Sequence, residues 1–325
     1  DVAIQVRDGA TGTLKKEATP KDLPAVFSNL RGAGAQWAHQ RLFICNLRGL
    51  PTPRDFVVKA SERLFAFDQD LNLLWTYRIP FPPRPNHAAY IPAVGDIDGD
   101  GRDEVTGGRY LLDDDGSVMF EDSEGDITPH TDSVAIDEWD DGNMRVIASG
   151  GGHVLDAEGN PVLSLGADVV PHGQEVRVAR FREQDRAPQM VIRWSGHSTK
   201  TMTVDIEGNI LRKFRLNPSP NNTGMEVVYW RGRENAAFLC NGGMLWDPVN
   251  GRSWDMPGLP PLQGPSRMGW YHCIPADLNG DGREEAVLYN PWDDNVHVYG
   301  AVPPPDAPFT AFIAGPRQYN PRLMD

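Results

Sequence analysis

Two stretches of the chain carry the same spacing of oxygen side chains. GDIDGDGRDEV (Gly95 to Val105) and ADLNGDGREEAV (Ala276 to Val287) both read D-x-[DN]-x-D-G-x-x-E. A glycine sits where such a loop must turn back on itself, and the oxygens are placed to wrap a hard cation such as Ca²⁺. The first ligand set is Asp96, Asp98, Asp100 and Glu104 with the backbone oxygen of Arg102. The second is Asp277, Asn279, Asp281 and Glu285 with the backbone oxygen of Arg283. DEWDDGN (Asp137, Asp140, Asp141) resembles a decayed copy and is expected to hold no metal.

A second kind of chemistry lies in the histidines. His87 precedes the first loop, His130 is followed by Asp132, and His172 by Gln174 and Glu175. Asn221, Asn222 and Thr223 precede Glu226, while Tyr271 and His272 precede the second loop. Imidazole titrates near neutral pH and suits proton transfer. IRWSGHSTKT (Ile192 to Thr201) adds a compact polar patch. There Arg193 could clamp a carboxylate through its planar fork, Trp194 could stack on a sugar ring, and His197 could move a proton. Trp270, Trp230 and Trp292 are further candidate sugar platforms, and Arg317, Tyr319 and Arg322 belong to a proline-broken tail.

These residues need a frame that brings distant positions together. A strand, a turn built on Asp or Gly and a second strand recur at Ile4–Leu14, Leu64–Trp75, Tyr110–Phe120, His153–Leu163, Met202–Leu211 and Met244–Trp254. A weaker seventh starts at Val296. The turns repeat about every 45 residues, the period of four-stranded propeller blades. Runs such as FVVKA (Phe56), MRVIASGG (Met144), QMVIRW (Gln189) and AAFLC (Ala236) lie between the hairpins. They are nearly continuous in apolar residues, as strands covered on both faces are. The expectation is an all-β chain, a single β-propeller over residues 1–325 with seven blades or eight and calcium in its inter-strand loops. Each blade is two inner strands followed by an outer hairpin. The first begins with its hairpin, so Phe309 to Asn320 is a candidate closing piece. Thr19 to Asn29 is the one modest helix candidate. Residues just before each innermost strand would converge on the central channel, and that is where the histidines stand.

The loops and the hairpin period resemble FG-GAP-type propellers, and the resemblance extends to propeller-type rhamnogalacturonan lyases and related uronate-cleaving polysaccharide lyases. ICNLRG (Ile44), GDIDGDGRDE (Gly95), HTDSVAI (His130), HGQEVRV (His172) and YHCIPADLNGDGREE (Tyr271) carry it. It implies β-elimination on a rhamnose/uronic acid type glycan. Such a reaction needs a cation for the uronate carboxylate, a base for the C5 proton and an acid for the leaving O4. His172 or His130 is the expected base, Tyr271 or His272 the acid and Arg193 the clamp. His87 and His197 complete the catalytic candidates, and Trp194, Asn222, Trp270, Arg317 and Tyr319 the substrate-binding ones. A non-catalytic calcium-stabilised binding propeller remains open, as does a glycoside hydrolase using Asp132 and Glu175, because the fold hosts many roles.

Composition narrows the partners. The net charge of −14 argues against binding nucleic acid through its phosphates. It also repels an acidic polysaccharide, unless Ca²⁺ and local cations reverse the sign at the site. No apolar run approaches the roughly 18 residues that span a membrane. Cys45, Cys240 and Cys273 are odd in number with no C-x-x-C, so buried thiols are expected. The start at Asp1 reads as a mature or trimmed product, the resemblance and the calcium loops imply a secreted or periplasmic protein, and a monomer is the expected state.

Overall fold

The computed structural model describes residues 3–19, 41–60, 62–81, 87–122, 130–140, 142–216, 224–261, 271–290 and 294–302. Within them the chain is all-β apart from one 3₁₀ turn at Gly150–Gly152. A hairpin comes first: β1 (Ile4–Arg7) and β2 (Leu14–Ala18). Five four-stranded sheets and a three-stranded sheet follow, each antiparallel with its strands in chain order.

The first sheet is β3 (Arg41–Cys45), β4 (Asp55–Ala60), β5 (Arg63–Phe67) and β6 (Leu73–Arg78). The second is β7 (Ala93–Gly95), β8 (Glu104–Thr106), β9 (Tyr110–Leu112) and β10 (Val118–Glu121). The third is β11 (Val134–Asp140), β12 (Asn143–Ala148), β13 (His153–Leu155) and β14 (Pro161–Ser164). The fourth is β15 (Glu175–Ala179), β16 (Gln189–Arg193), β17 (Lys200–Val204) and β18 (Ile210–Arg215). The fifth is β19 (Glu226–Val228), β20 (Phe238–Asn241), β21 (Met244–Asp247) and β22 (Arg252–Asp255). The sixth is β23 (His272–Ala276), β24 (Glu285–Tyr289) and β25 (Val296–Tyr299). The hairpins read from the sequence are the last two strands of the first five sheets, and the run at Val296 is the third strand of the sixth.

The cores lie between sheets. Phe43, Val57 and Leu64 of the first sheet meet Val94, Val105 and Leu112 of the second. Leu111 and Ile97 then meet Val146 and Leu155 of the third. Trp139 and Ile147 pack on Val176, Met190 and Ile192 of the fourth, and the pattern continues to the fifth and sixth. Neighbours along a strand therefore face opposite cores: Val146 looks back to the second sheet and Ile147 forward to the fourth. That is why the inner strands are largely apolar on both faces. Each buried Val, Leu or Ile contributes about 1.5–3 kcal/mol. The first strands adjoin in series, β7 against β11, β11 against β15, β15 against β19 and β19 against β23.

The outer hairpins share one packing device. The turn glycines Gly116, Gly159 and Gly208 have φ of 84°, 84° and 86°. A Cβ there would lie 2.7 Å from Trp75, 2.8 Å from Phe120 and 2.8 Å from Leu163, respectively. Each turn thus receives a side chain from the outer strand of the preceding sheet, and positive φ and close approach both demand glycine. In the first sheet Leu71 takes this place at φ 65°, packing instead toward Ile4 and Ala18 of the hairpin. Cys45, Cys240 and Cys273 are buried and unpaired by disulfides.

Candidate functional site

Because β7, β11 and β15 adjoin, the residues leading into them meet at one end of the sheets. His87, His130 and His172 stand there around Asp132. The Asp132 carboxylate lies 3.4 Å from His87 Nε2, 3.4 Å from His130 Nε2 and 3.2 Å from His172 Nε2. His130 Nε2 and His172 Nε2 are 3.3 Å apart. The rings form a chain, with His87 to His130 centroids at 4.6 Å, His130 to His172 at 4.5 Å and His172 to His197 at 5.9 Å. Tyr90 stacks on His87 with ring centroids 4.3 Å apart. The side chains of His87 and Asp132 are nearly buried, whereas His172 is 35% exposed and His197 is exposed.

The tautomer of His87 follows from its hydrogen bonding. His87 Nδ1 lies 3.0 Å from the Ala88 carbonyl, an acceptor, so Nδ1 carries a proton. In a neutral ring Nε2 would then point a lone pair at a carboxylate oxygen. A cation between them, a proton or a metal ion, removes that repulsion. His87, His130 and Asp132 each offer a ligand atom, and these atoms lie within 4.8 Å of one another. Two imidazoles and a carboxylate suit a divalent cation. His172 lies outside that set and is the most exposed of the four side chains.

The cluster is set by backbone contacts that the sequence reading did not foresee. Ser149 is buried, and its hydroxyl accepts from the Asp132 and Ser133 amides at 3.2 and 3.0 Å. The same hydroxyl donates to the Gly173 carbonyl at 2.8 Å. It therefore ties the Asp132 segment to the His172 segment. A Cβ on Gly150 would lie 2.3 Å from the His130 carbonyl oxygen, and one on Gly173 would lie 1.6 Å from the Ser149 carbonyl oxygen. The SGGG run (Ser149 to Gly152) after β12 was the available signal.

Other expected site residues fall elsewhere. Arg193 is not an open clamp. Its side chain is fully buried at the end of β16, and its Nε lies 3.2 Å from Glu175 Oε2. Burial lowers its pKa, with Arg177 adding to the fall and Glu175 opposing it. Glu175 is likewise engaged by Arg177 at 3.2 Å and by the Met225 amide at 2.6 Å, so it is not a second carboxylate facing Asp132. Tyr271 is buried between the fifth and sixth sheets with its ring edge-on to His297. His272 stacks on Tyr289 across β23 and β24. Trp194 is half-buried against the third and fourth sheets, and Lys200 and Lys213 stand over its ring. Asn222, Trp270, Arg317 and Tyr319 lie outside the described residues, as do Asp141 and nearly all of the helix candidate.

The two acidic loops lie at the opposite end of the sheets, joining β7 to β8 and β23 to β24. In the first, Asp96 Oδ1 and Oδ2 accept from Gly99 and Gly101, shaping the turn at 2.8 and 3.1 Å. Asp96, Asp98 and Glu104 converge within 4.8 Å. Glu104 is buried, and its Oε1 has no hydrogen-bond partner. Burial, followed by the charges of Asp98, Asp96 and Asp100, pushes its pKa up to about 8. A buried carboxylate facing like charges with an oxygen unsatisfied fits a calcium ion. In the second loop Asp277 shapes the turn in the same way. There Asn279 Nδ2 donates to Glu285 Oε1 at 3.0 Å, and Asp281 lies 3.8 Å from Arg283.

No protein-family model matches the chain, and no curated protein matches it. Solved structures do. The rhamnogalacturonan lyase YesW superposes with a TM-score of 0.68 at 19% identity, over 95% of this chain and 53% of its own. A Bacillus licheniformis rhamnogalacturonan lyase (PL11) gives 0.68 at 19%, over 92% and 51%. The exotype rhamnogalacturonan lyase YesX gives 0.66 at 17%, over 92% and 52%. At such identities the likeness is one of fold, and the chain spans about half the length of these lyases. It supports the β-rich lyase-type fold and not FG-GAP modules in particular.

Proposed function

We propose that this chain is the β-propeller of a secreted or periplasmic polysaccharide lyase that cleaves a uronate-containing, rhamnose/uronic acid type glycan by β-elimination. The observation that carries this reading is the convergence of His87, His130 and His172 on Asp132, on a fold like that of rhamnogalacturonan lyases. The six sheets are read as successive blades, with β1 and β2 the outer hairpin of a seventh and the whole chain one domain.

The cluster divides the labour that the reaction requires. His172 donates Nε2–H to Asp132, which leaves Nδ1 as the basic lone pair. Gly196 keeps that face clear, since a Cβ there would lie 3.3 Å from Nδ1. His172 Nδ1 takes the C5 proton. His197, exposed beside it, returns a proton to the leaving O4. His87, His130 and Asp132 would hold a divalent cation, which when bound neutralises the uronate carboxylate and stabilises charge developing on it. This is the part the sequence reading gave to Arg193. Calcium in the two distant loops has a structural role, joining the first two strands of a blade.

The test is to incubate the protein with a panel of uronate polysaccharides, with Ca²⁺ present, and follow the ultraviolet absorbance of the unsaturated uronate product. Absorbance is expected from wild type and not from His172→Ala. No absorbance across the panel would end the lyase reading. Glycan binding without cleavage would leave a binding propeller.

A further inference from the structure

The chain carries many more carboxylates than cations, with a net charge of −14. Against that background one rim is basic. The fourth sheet ends, on the histidine side, in a row formed by Trp194, Lys200 and Arg215. Lys200 and Arg215 are paired across β17 and β18, and the Trp194 amide donates to the Lys200 carbonyl at 3.3 Å. Lys213, opposite Met202, shares their face. Both ammonium groups, Lys200 Nζ and Lys213 Nζ, stand 5.1 Å from the Trp194 ring centroid. Lys200, Lys213 and Arg215 form no ion pair with a carboxylate among the described residues.

This rim is continuous with the histidine cluster. His172 N–H reaches the Trp194 carbonyl at 3.4 Å, and Gly196 N–H donates to the His172 carbonyl at 2.8 Å. Moving outward from Asp132 one therefore meets His172, then His197, then Trp194 with its lysines. Two like charges gathered on one indole lower each other's stability, and the ring face offsets that only in part. An anion between them relieves the repulsion. Neighbouring strands lie about 4.8 Å apart, so a row across the ends of β16, β17 and β18 spans roughly 10 Å and is long enough to take a sugar unit beyond the one at the cluster.

We propose that Trp194, Lys200, Lys213 and Arg215 form a subsite for a carboxylate of an acidic glycan chain, one unit outward from the histidine cluster. The subsite reverses the sign of the surface field where the polymer enters. Its assignment to a glycan rests on the lyase reading, while the binding of an anionic sugar chain can be measured without turnover.

The probe is a short oligogalacturonate, titrated calorimetrically into the wild-type chain at low and moderate salt, with its neutral methyl ester as control. Lys200→Gln/Lys213→Gln is expected to weaken binding of the acid by about fivefold, the yield of two exposed charge contacts, and to flatten its salt dependence. The methyl ester should bind weakly and equally to both proteins, and the melting temperature should not change. Equal affinity of wild type and variant for the acid would overturn the subsite, as would no binding of the acid at all. Charge-dependent binding of the acid would uphold the subsite even where no polysaccharide of the panel gives an unsaturated product, the outcome that ends the lyase reading alone. Cleavage with an unaltered KM in the double variant would do the reverse.

Discussion

Asp103 grips Asn46 by both of its backbone groups. The Asp103 amide donates to the Asn46 carbonyl at 3.1 Å, and the Asp103 carboxylate accepts the Asn46 amide at 2.6 Å. Asp103 immediately precedes β8 and Asn46 follows β3, so the pair joins the second sheet to the first. Glu284 treats Tyr229 in the same way, at 3.1 and 2.9 Å, and joins the sixth sheet to the fifth. Both acids sit one residue before the last carboxylate of an acidic loop, and both are buried. Asp103→Ala leaves the Asn46 amide buried without its partner. It is expected to cost about 1–3 kcal/mol, read as a lowered midpoint in urea unfolding. An unchanged midpoint would show that the pair is a passive contact.

The next expectation concerns Ca²⁺. Glu104 sits with a partnerless oxygen beside Asp96 and Asp98. Adding Ca²⁺ to metal-stripped protein should raise the melting temperature by mass action, since the folded loop binds it and the unfolded chain does not. Asp98→Ala should lower the melting temperature, and added Ca²⁺ should no longer rescue it. A full rescue of that variant would place the cation elsewhere.

The same carboxyl gives a pH prediction with a definite sign. In the metal-free protein, burial and like charges raise Glu104 from an ordinary 4.5 to about 8. The folded state therefore holds a proton that the unfolded state releases. The contribution is complete below pH 4.5 and is lost as pH rises through about 8. Metal-free protein should become less stable across that window, and Glu104→Gln should flatten the slope. Because Ca²⁺ needs the ionised carboxylate, its stabilising effect should grow over the same range. A slope unchanged in Glu104→Gln would assign it to other groups.

Much of this architecture was legible because it rests on local patterns. The loops at Asp96 and Asp277 and the hairpins ending in β6, β10 and β14 follow from spacing and from turn residues. The convergence of His87, His130 and His172 was legible too, since each stands before a first strand. Arg193 was misread because its neighbours Trp194 and His197 are polar, whereas cross-strand pairing sets it opposite Glu175 inside the fold. The clasp roles of Asp103 and Glu284 were hidden because each looks like a surface acid beside a metal ligand. Gly173 gave no sign either, because its constraint comes from Ser149, a residue distant in sequence that only the assembled sheets bring close.

Proton transfer provides the test of the cluster itself. His172→Ala removes the exposed imidazole while leaving the buried pair of His87 and Asp132 in place. Turnover on the polysaccharide that wild type cleaves should fall by about 10²–10⁴-fold, the span of general base catalysis, with little change in melting temperature. Unfolding of the variant would instead mark the ring as a strut between the third and fourth sheets.

Gly173 allows the position of that imidazole to be tested without touching it. A Cβ at this residue would fall 1.6 Å from the Ser149 carbonyl oxygen, a backbone atom that cannot rotate away. Gly173→Ala must therefore push the His172 segment off β12 and weaken the Ser149 hydroxyl bond to the residue 173 carbonyl. Overpacking of this kind costs about 1–3 kcal/mol. Activity should fall further than that loss of stability explains at temperatures where the variant remains folded, because His172 and Asp132 lose their register. Gly166→Ala is the control for lost stability without a clash: its φ is positive, at 80°, which that of Gly173 is not, and a Cβ there meets nothing within 4 Å. It should carry the backbone strain alone, lowering the melting temperature while leaving turnover unchanged. Equal activity losses in the two variants would remove the tie between Ser149 and the cluster from the account of the site.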